Sequence, residues 1–537
     1  MLFLASLAAG FLAFQSASAV DPLVDLSYSK YQGVDLGNNV TQWLGKYLGG
    51  IRYAAPPLGN LRFEAPQDPP SSYSVQPADK YGAVCLGTGH PANETGHAED
   101  CLFLNVFAPS DATEDSGLAV YFFIQGGGFN TNSNPNLNGS GIVTASDGKV
   151  ITVQMNYRVG AYGFLAAKEV PSNNNGLKDQ RKALEWVQKN IKKFGGDPKK
   201  VTMAGDSAGA ASVTLHLTAY GGRDDGLFQA TAAESQSFAQ ILTVSEQQYV
   251  YDDLVIRTGC AGATSTLGCL RDLNTTVLQN LSYNIPFTGG SKPPLFLYGP
   301  TLDNDFLTDF TYRAFEEGKF VKVPAIYGDD TNEGTIFAPE DTGTSGDSSQ
   351  FIHDQFPSLT VEQLGLIAKL YPVERTQSFN GAGRYWRQAS DAYGEIRYIC
   401  PGIKLSQIYA WLNIPIYNYR WNVLDPQNVT DGYGVPHTIE VNAIWGPANT
   451  NNGAPASYNT TNAAIVPIAQ AYWTSFVKSH NPNTYRLAGT PEWKQFGSDG
   501  GYSRLRFQTN NTAIEKVPKS QRERCDYLDS IALQIKQ

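Results

Sequence analysis

The run A-G-D-S-A-G-A-A-S, residues 204–212, places Ser207 at the centre of a G-x-S-x-G pentapeptide. A serine hydroxyl is a weak nucleophile. It needs a base to take its proton, an acid to orient that base, and donors to hold the oxyanion that forms on the substrate. The pentapeptide alone decides little, because a chain this rich in glycine produces one by chance about 0.3 times. Its context says more. Ser207 follows the apolar run V-T-M-A-G, 201–205, and precedes A-G-A-A-S-V-T-L-H-L-T-A-Y. That is a strand, a sharp turn and a helix, the setting that exposes a nucleophilic serine. Gly205 and Gly209 suit so tight a turn, where side chains would collide. The bland alternative is a tight turn that happens to carry serine.

The oxyanion donors are the second requirement. Directly after L-A-V-Y-F-F-I-Q, 118–125, comes Gly126-Gly127-Gly128-Phe129. Backbone without side chains lets peptide N–H groups approach a substrate oxygen. Gly127 and Gly128 are the candidate donors, with the amide of Ala208 at the start of the following helix. A phosphate cradle is the competing reading, but no Lys-Ser or Lys-Thr follows and the G-x-G-x-x-G spacing fails.

For the base the chain offers six histidines. His90 and His97 come early, and His216 lies within the helix after Ser207, where a packing role fits better. His353 falls in a helical stretch, and His480, in K-S-H-N-P-N, reads as an exposed turn at a helix end. His437 stands in G-Y-G-V-P-H, 432–437, whose glycines and proline suit a shaped loop beside a site. The acid is expected at a strand end between serine and histidine. V-P-A-I-Y-G-D-D-T-N-E-G-T-I-F, 323–337, offers Asp329, Asp330 and Glu333 there, and composition does not choose among them. Three such acids could also form a solvated turn or bind calcium, although the EF-hand ligand spacing is absent. No metal site is expected.

These residues need elements to hold them. L-A-V-Y-F-F-I-Q, V-I-T-V-Q-M-N (150–156) and V-T-M-A-G are continuous apolar runs, which suit parallel strands buried on both faces. Between the last two, Leu184, Val187, Ile191 and Phe194 recur at helical spacing before Gly195-Gly196. The result is a β-α-β crossover in a doubly wound α/β sheet. The N-terminal mature residues read as a β-hairpin region and 340–410 as a mostly helical insertion. No repeat or linker divides the chain, so residues 20–537 are expected to form one domain.

Residues 1–19, M-L-F-L-A-S-L-A-A-G-F-L-A-F-Q-S-A-S-A, are uncharged and apolar and end in a small-x-small pattern. They read as a signal peptide for a secreted, extracellular protein. No later run is long enough to span a membrane, so no stable membrane insertion is expected. A net charge of −10 makes nucleic acid a poor partner. Cys85, Cys101, Cys260, Cys269, Cys400 and Cys525 lack C-x-x-C spacing, which favours disulfides over metal ligation. Local pairing suggests Cys85 with Cys101 and Cys260 with Cys269, leaving Cys400 with Cys525. Sequons at Asn39, Asn93, Asn138, Asn274, Asn280, Asn428, Asn459 and Asn510 are glycosylation candidates.

Over nearly its whole mature length the chain resembles the type-B carboxylesterase and lipase family, which includes cholinesterases and several fungal lipases. The stretches that carry the likeness are Y-L-G-G-I-R-Y-A-A-P-P-L-G-N-L-R-F near the start, E-D-C-L-F-L-N-V-F-A-P at 99–109, G-G-G-F at 126–129, N-Y-R-V-G-A-Y-G-F-L at 156–165, the segment 176–212, G-D-D-T-N-E-G-T-I-F at 328–337 and G-V-P-H-T-I-E-V-N-A-I-W-G at 434–446. The resemblance implies an α/β-hydrolase fold, a large mostly parallel twisted sheet flanked by helices with helical insertions. It implies Ser207, Glu333 and His437 as the triad, with Glu333 chosen over the aspartates by the family's E-G-T-x-F motif. It also implies the oxyanion donors and the disulfide pairs named above.

Three departures stand out. Asp206 replaces the glutamate of the common G-E-S-A-G elbow. Glu234-Ser235-Gln236-Ser237 stands where relatives carry Q-S-G-S. The loop between Cys85 and Cys101 is short and polar, with neither the apolar lid expected of lipase members nor the choline-stacking tryptophan expected of cholinesterases. The expected activity is two-step hydrolysis of a small-molecule or lipid ester without a cofactor, with little interfacial activation. The acyl pocket could draw on the loop containing Phe238 or on 283–300. An acyltransferase using the same acyl-enzyme, and a binding protein that has lost the chemistry, are the competing classes. Triad integrity argues against the latter, and product analysis with alcohol acceptors separates the former.

Overall fold

A computed structural model describes residues 22–45, 50–373, 381–451 and 453–537. The expected signal segment, 1–19, lies outside the described residues. The main sheet has 11 strands: β1 (Val34–Asp35), β2 (Val40–Trp43), β3 (Leu104–Pro109), β4 (Leu118–Ile124), β5 (Val150–Met155), β6 (Gly196–Asp206), β7 (Ala230–Glu234), β8 (Ala325–Asp330), β9 (Ile416–Trp421), β10 (Ser503–Phe507) and β11 (Ala513–Lys516). Their spatial order is β11-β10-β9-β8-β7-β6-β4-β5-β3-β2-β1. Strands β4 to β10 pair in parallel, and the antiparallel pairs lie at the two edges.

Strand β4 shows why these runs are continuous in apolar residues. Val120, Phe122 and Ile124 enter one buried cluster, while Ala119, Tyr121 and Phe123 enter another. Successive side chains point to opposite faces, so a strand covered on both sides needs apolar residues at every position. Helix α1 (Asn175–Asn190) then crosses from β5 to β6, past β4. It tightens to a 3₁₀ turn over Ile191–Phe194 and stops at Gly195, whose φ of +89° is left-handed.

The N-terminal segment forms an antiparallel pair, Leu23–Asp25 with Lys30–Gln32. The region after 340 holds α3 (Ser345–Gln355), α4 (Val361–Leu370), α5 (Trp386–Gly394), a π-helical turn at Glu395–Ile399 and α6 (Cys400–Trp411), with α2 (Ala208–Gly222) following β6 earlier in the chain. Disulfides join Cys85 to Cys101, Cys260 to Cys269 and Cys400 to Cys525. The last ties α6 to the C-terminal helix Lys519–Ser530.

Candidate active site

Ser207 lies between the end of β6 and the first residue of α2, with φ 55° and ψ −120°. This is a costly conformation for a residue with a Cβ. The surroundings enforce it: the Ser207 amide donates to Glu234 O at 3.0 Å and its carbonyl accepts from Ala211 N at 2.9 Å. The flanking glycines are steric necessities. A Cβ on Gly209 would lie 1.9 Å from Ile124 O, and one on Gly205 2.6 Å from Gly209 C.

The glycine turn leaves the carboxyl end of β4, beside β6, so it faces Ser207 directly. Gly127 and Gly128 have φ of +110° and +60°. Their carbonyls are held: Gly127 O accepts from Asn130 N and Thr131 N, and Gly128 O accepts from Asn130 Nδ2 at 2.7 Å. Gly126 O accepts from Ser133 N at 3.4 Å. A trans peptide is planar, so pinning a carbonyl turns the next residue's N–H the opposite way. The bonds to Gly126 O, Gly127 O and Ser207 O thereby orient the N–H groups of Gly127, Gly128 and Ala208.

His437 and Glu333 sit on loops after β9 and β8. Ser207 Oγ and His437 Nε2 are 2.7 Å apart, and His437 Nδ1 contacts Glu333 Oε2. Glu333 Oε1 accepts the Asp330 amide at 2.6 Å. The two loops are laced together. Asn332 N donates to Val435 O, Val435 N donates to Asn332 Oδ1, and Thr335 Oγ1 donates to Tyr433 O. Gly434, at φ +70°, leaves no room for a Cβ against Asn332 Oδ1, 2.2 Å away. Asp329 and Asp330, the other acids of this strand end, are buried and do not touch His437. Asp330 Oδ2 instead accepts the Ile439 amide at 3.1 Å.

Ser207 and His437 keep only 7 % and 8 % of their surface exposed. Phe337 and Tyr398 pack on the imidazole, at centroid distances of 5.0 and 4.3 Å. Burial pushes the His437 pKa down to about 4, against the opposing pull of Glu440 and Asp206, with Arg397 adding to the depression. The ring is therefore neutral near pH 7, as a base must be before attack. Burial, with Glu440 beside it, pushes Glu333 well up, while the Asp330 amide and Ser235 hydroxyl work the other way. Asp330, Asp329 and Glu234 are raised as well, chiefly by burial. Each carboxyl of this belt thus raises the cost of ionising its buried neighbours.

Asp206 is wholly buried. Its Oδ1 accepts the Gly126 amide at 2.9 Å and its Oδ2 accepts Asn134 Nδ2 at 2.8 Å. Burial lifts its pKa to about 6, moderated first by the Asn134 amide. Ser235 Oγ accepts the Thr438 amide at 3.1 Å and lies 3.3 Å from Asp330 Oδ2 and 3.2 Å from Glu440 Oε1. Glu440, Asn134, Asn332, Arg397 and Tyr398 were not singled out by sequence reasoning. Only Glu440, three residues after His437, offered a positional signal.

The remaining histidines are elsewhere. His216 is buried on α2 with Nε2 3.0 Å from Gln180 Oε1, and burial pushes its pKa to about 3. His353 is on α3. His480 caps the helix Ile465–Ser479 at φ 56°, and it is partly buried rather than an exposed turn residue, because Phe476 packs against it at 6.4 Å. A narrow cavity beside Gly128 is lined by Phe287, Phe296, Tyr298, Gln240, Tyr393 and Arg397. Phe238 packs edge-on against Tyr312, and its neighbours Ala239 and Gln240 reach that cavity instead.

Comparison with known proteins adds a second line. The model of the carboxylesterase family matches residues 20–527. Secreted lipase 4 of Gibberella zeae is 29 % identical over 90 % of this chain and 87 % of its own length. A cholinesterase of Mus musculus is 31 % identical over 90 % of this chain and 81 % of its own. The crystal structure of Aspergillus niger EstA superimposes with a TM-score of 0.92 at 43 % identity, covering 96 % of this chain and 99 % of that one.

Proposed function

We propose that this chain, which belongs to the carboxylesterase family and is a carboxylic ester hydrolase, performs its reaction through Ser207, His437 and Glu333. The observation that carries this reading is the unbroken contact from Ser207 Oγ through His437 Nε2 and Nδ1 to Glu333 Oε2. His437 Nε2 takes the hydroxyl proton as Oγ attacks the ester carbonyl carbon. Glu333 holds the tautomer with hydrogen on Nδ1 and balances the imidazolium. The amides of Gly127, Gly128 and Ala208 receive the oxyanion. His437 returns the proton to the leaving alcohol, then deprotonates the water that attacks the acyl-enzyme, and gives that proton back to Ser207 Oγ as the acyl bond breaks and the acid leaves.

The substrates are small-molecule esters, and in this reading the preferred ones are dissolved rather than presented at an oil surface. The support is the Cys85–Cys101 loop, which carries His90, Glu94, His97 and the exposed Asn93. Acylglycerols are the second reading, favoured by the name of the Gibberella zeae relative. Residues 20–537 act as one secreted domain. One sheet with strands from Val34 to Lys516 supports the single domain, and the leader, the three disulfides and that relative's name support secretion. None of the eight sequon asparagines is buried, which suits glycosylation.

The test is turnover of p-nitrophenyl acetate and labelling by an organophosphate. Ser207→Ala is expected to lose about 10⁴-fold or more in kcat and all labelling. Near-normal activity in that variant overturns the assignment. A series from acetyl to palmitoyl esters, with a triglyceride emulsion above and below its solubility, separates the two substrate readings.

A further inference from the structure

Outside the active site, the loop closed by Cys85–Cys101 gathers three side chains that share one ligand geometry. His90 Nδ1 lies 2.7 Å from Glu94 Oε2, and His97 Nδ1 lies 3.9 Å from the same oxygen. All three ligand atoms fall within 4.8 Å of one another. Tetrahedral zinc with bonds near 2.0–2.1 Å separates its ligands by about 3.4 Å, midway between those two distances. His97 Nδ1 is buried and has no hydrogen-bond partner, so it is a polar atom aimed into the cluster with nothing to satisfy it. The two imidazole rings lie 5.7 Å apart, centroid to centroid, with planes 22° apart.

The scaffold is prepared for a ligand. The strands Val84–Cys85 and His97–Ala98 pair in parallel, and the disulfide closes the loop behind them. Gln279 Nε2 donates to Gly87 O at 2.6 Å and to His90 O at 2.9 Å, holding the backbone at one ligand. The side chains of His90, Glu94 and His97 are 41 %, 35 % and 19 % exposed, so solvent and ions reach them.

We propose that His90, Glu94 and His97 form a binding site for a divalent transition metal of the zinc class, distinct from the ester-cleaving site. Two imidazoles and one carboxylate favour zinc, copper or nickel over magnesium or calcium, which prefer all-oxygen sets. Neither the cysteine spacing nor the acids at 329–333 lead to the expectation of a metal site, whereas the pattern H-x₃-E-x₂-H, closed on itself by a disulfide, is a sequence signal for one. The metal would clamp the loop whose base touches the glycine turn: Thr88 N donates to Asn130 O at 2.7 Å and Asn132 Nδ2 donates to Cys85 O at 2.8 Å.

Isothermal titration of the full-length protein, stripped with a chelator and then given zinc chloride, tests the site. One equivalent is expected to bind with micromolar or tighter affinity. Glu94→Gln and His97→Gln are each expected to weaken that binding at least tenfold, and magnesium chloride to give no binding heat. Turnover of p-nitrophenyl acetate by the metal-free variants reports that they are folded. No zinc binding below 100 µM in the parent, or equal affinity in the parent and both variants, overturns the proposal.

Discussion

The Asp206 carboxylate accepts the amide of Gly126 at 2.9 Å, so the residue before Ser207 anchors the glycine turn that faces it. Its other oxygen accepts from Asn134 Nδ2 in a part-buried contact, while the Gly126 bond is fully buried. The turn at Ser207 and the glycine turn are thereby one construction, and in the proposed mechanism the amide donors are set before substrate arrives. The family's more common glutamate would place the same charge one methylene further out.

Asp206→Ala is therefore expected to lower kcat by about 10²-fold with little change in KM, since the loss falls on an arrangement used in the transition state. Steady-state kinetics with p-nitrophenyl acetate measures it. A variant with the parent's kcat would remove Asp206 from any positioning role.

Gly128→Ala tests the turn itself. The new methyl would lie 2.1 Å from Phe296 Cδ1 on a backbone at φ +60°. Strain of about 1–3 kcal/mol, and displacement of an amide donor, should cost roughly 10²-fold or more in kcat. Full activity with an unshifted Phe296 would contradict the donor assignment.

The pH profile follows from His437. In the proposed mechanism His437 acts only when unprotonated, and burial holds its pKa near 4, so kcat/KM should persist well below pH 6.5 and fall as pH drops through about 4. Asp206 takes its proton near 6 and should add at most a shoulder there, absent in Asp206→Asn. A single inflection at 6.5 in both proteins would show an imidazole in a watery rather than a buried setting.

Ser235→Ala should destabilise the fold by about 1–3 kcal/mol, because it strands the Thr438 amide beside His437 and removes a hydroxyl from the carboxyl belt. Denaturant unfolding reads this directly. Unchanged stability would mean that another acceptor replaces Ser235 without cost.

The hydrolase class and the residues that the fold brings together were legible in the sequence because each left a local mark: glycines at a turn, an apolar strand ahead of them, and Ser207, Glu333 and His437 in chain order. What joined the marks was not legible, since it depends on distant side chains meeting. The stretches near Arg52 and Arg62 and the stretch beginning Glu99-Asp100 were read separately. In the fold Arg52 pairs with Asp100 at 2.6 Å and Arg62 with Glu99 at 2.5 Å. Arg158 of N-Y-R-V-G likewise pairs with buried Asp179 at 2.7 Å. Asp206 could be seen but not interpreted, because its partners lie 80 and 72 residues away. Glu333 could be preferred to Asp329 and Asp330 only through the family motif. All three acids stand within five residues, and only the turn after β8 decides which one faces the imidazole.

The helical insertion is more than a cover. A Cβ on Gly334, next to Glu333, would lie 1.8 Å from Ser390 O on α5, and the same insertion supplies Tyr398 to the face of His437. Efforts to change substrate preference by exchanging this segment between relatives will therefore move Glu333 and His437 together with the pocket. Recombination breakpoints placed between 334 and 399 should yield mostly inactive chimaeras, whereas crossovers that carry 325–440 as one block should keep the chemistry while changing what it acts on.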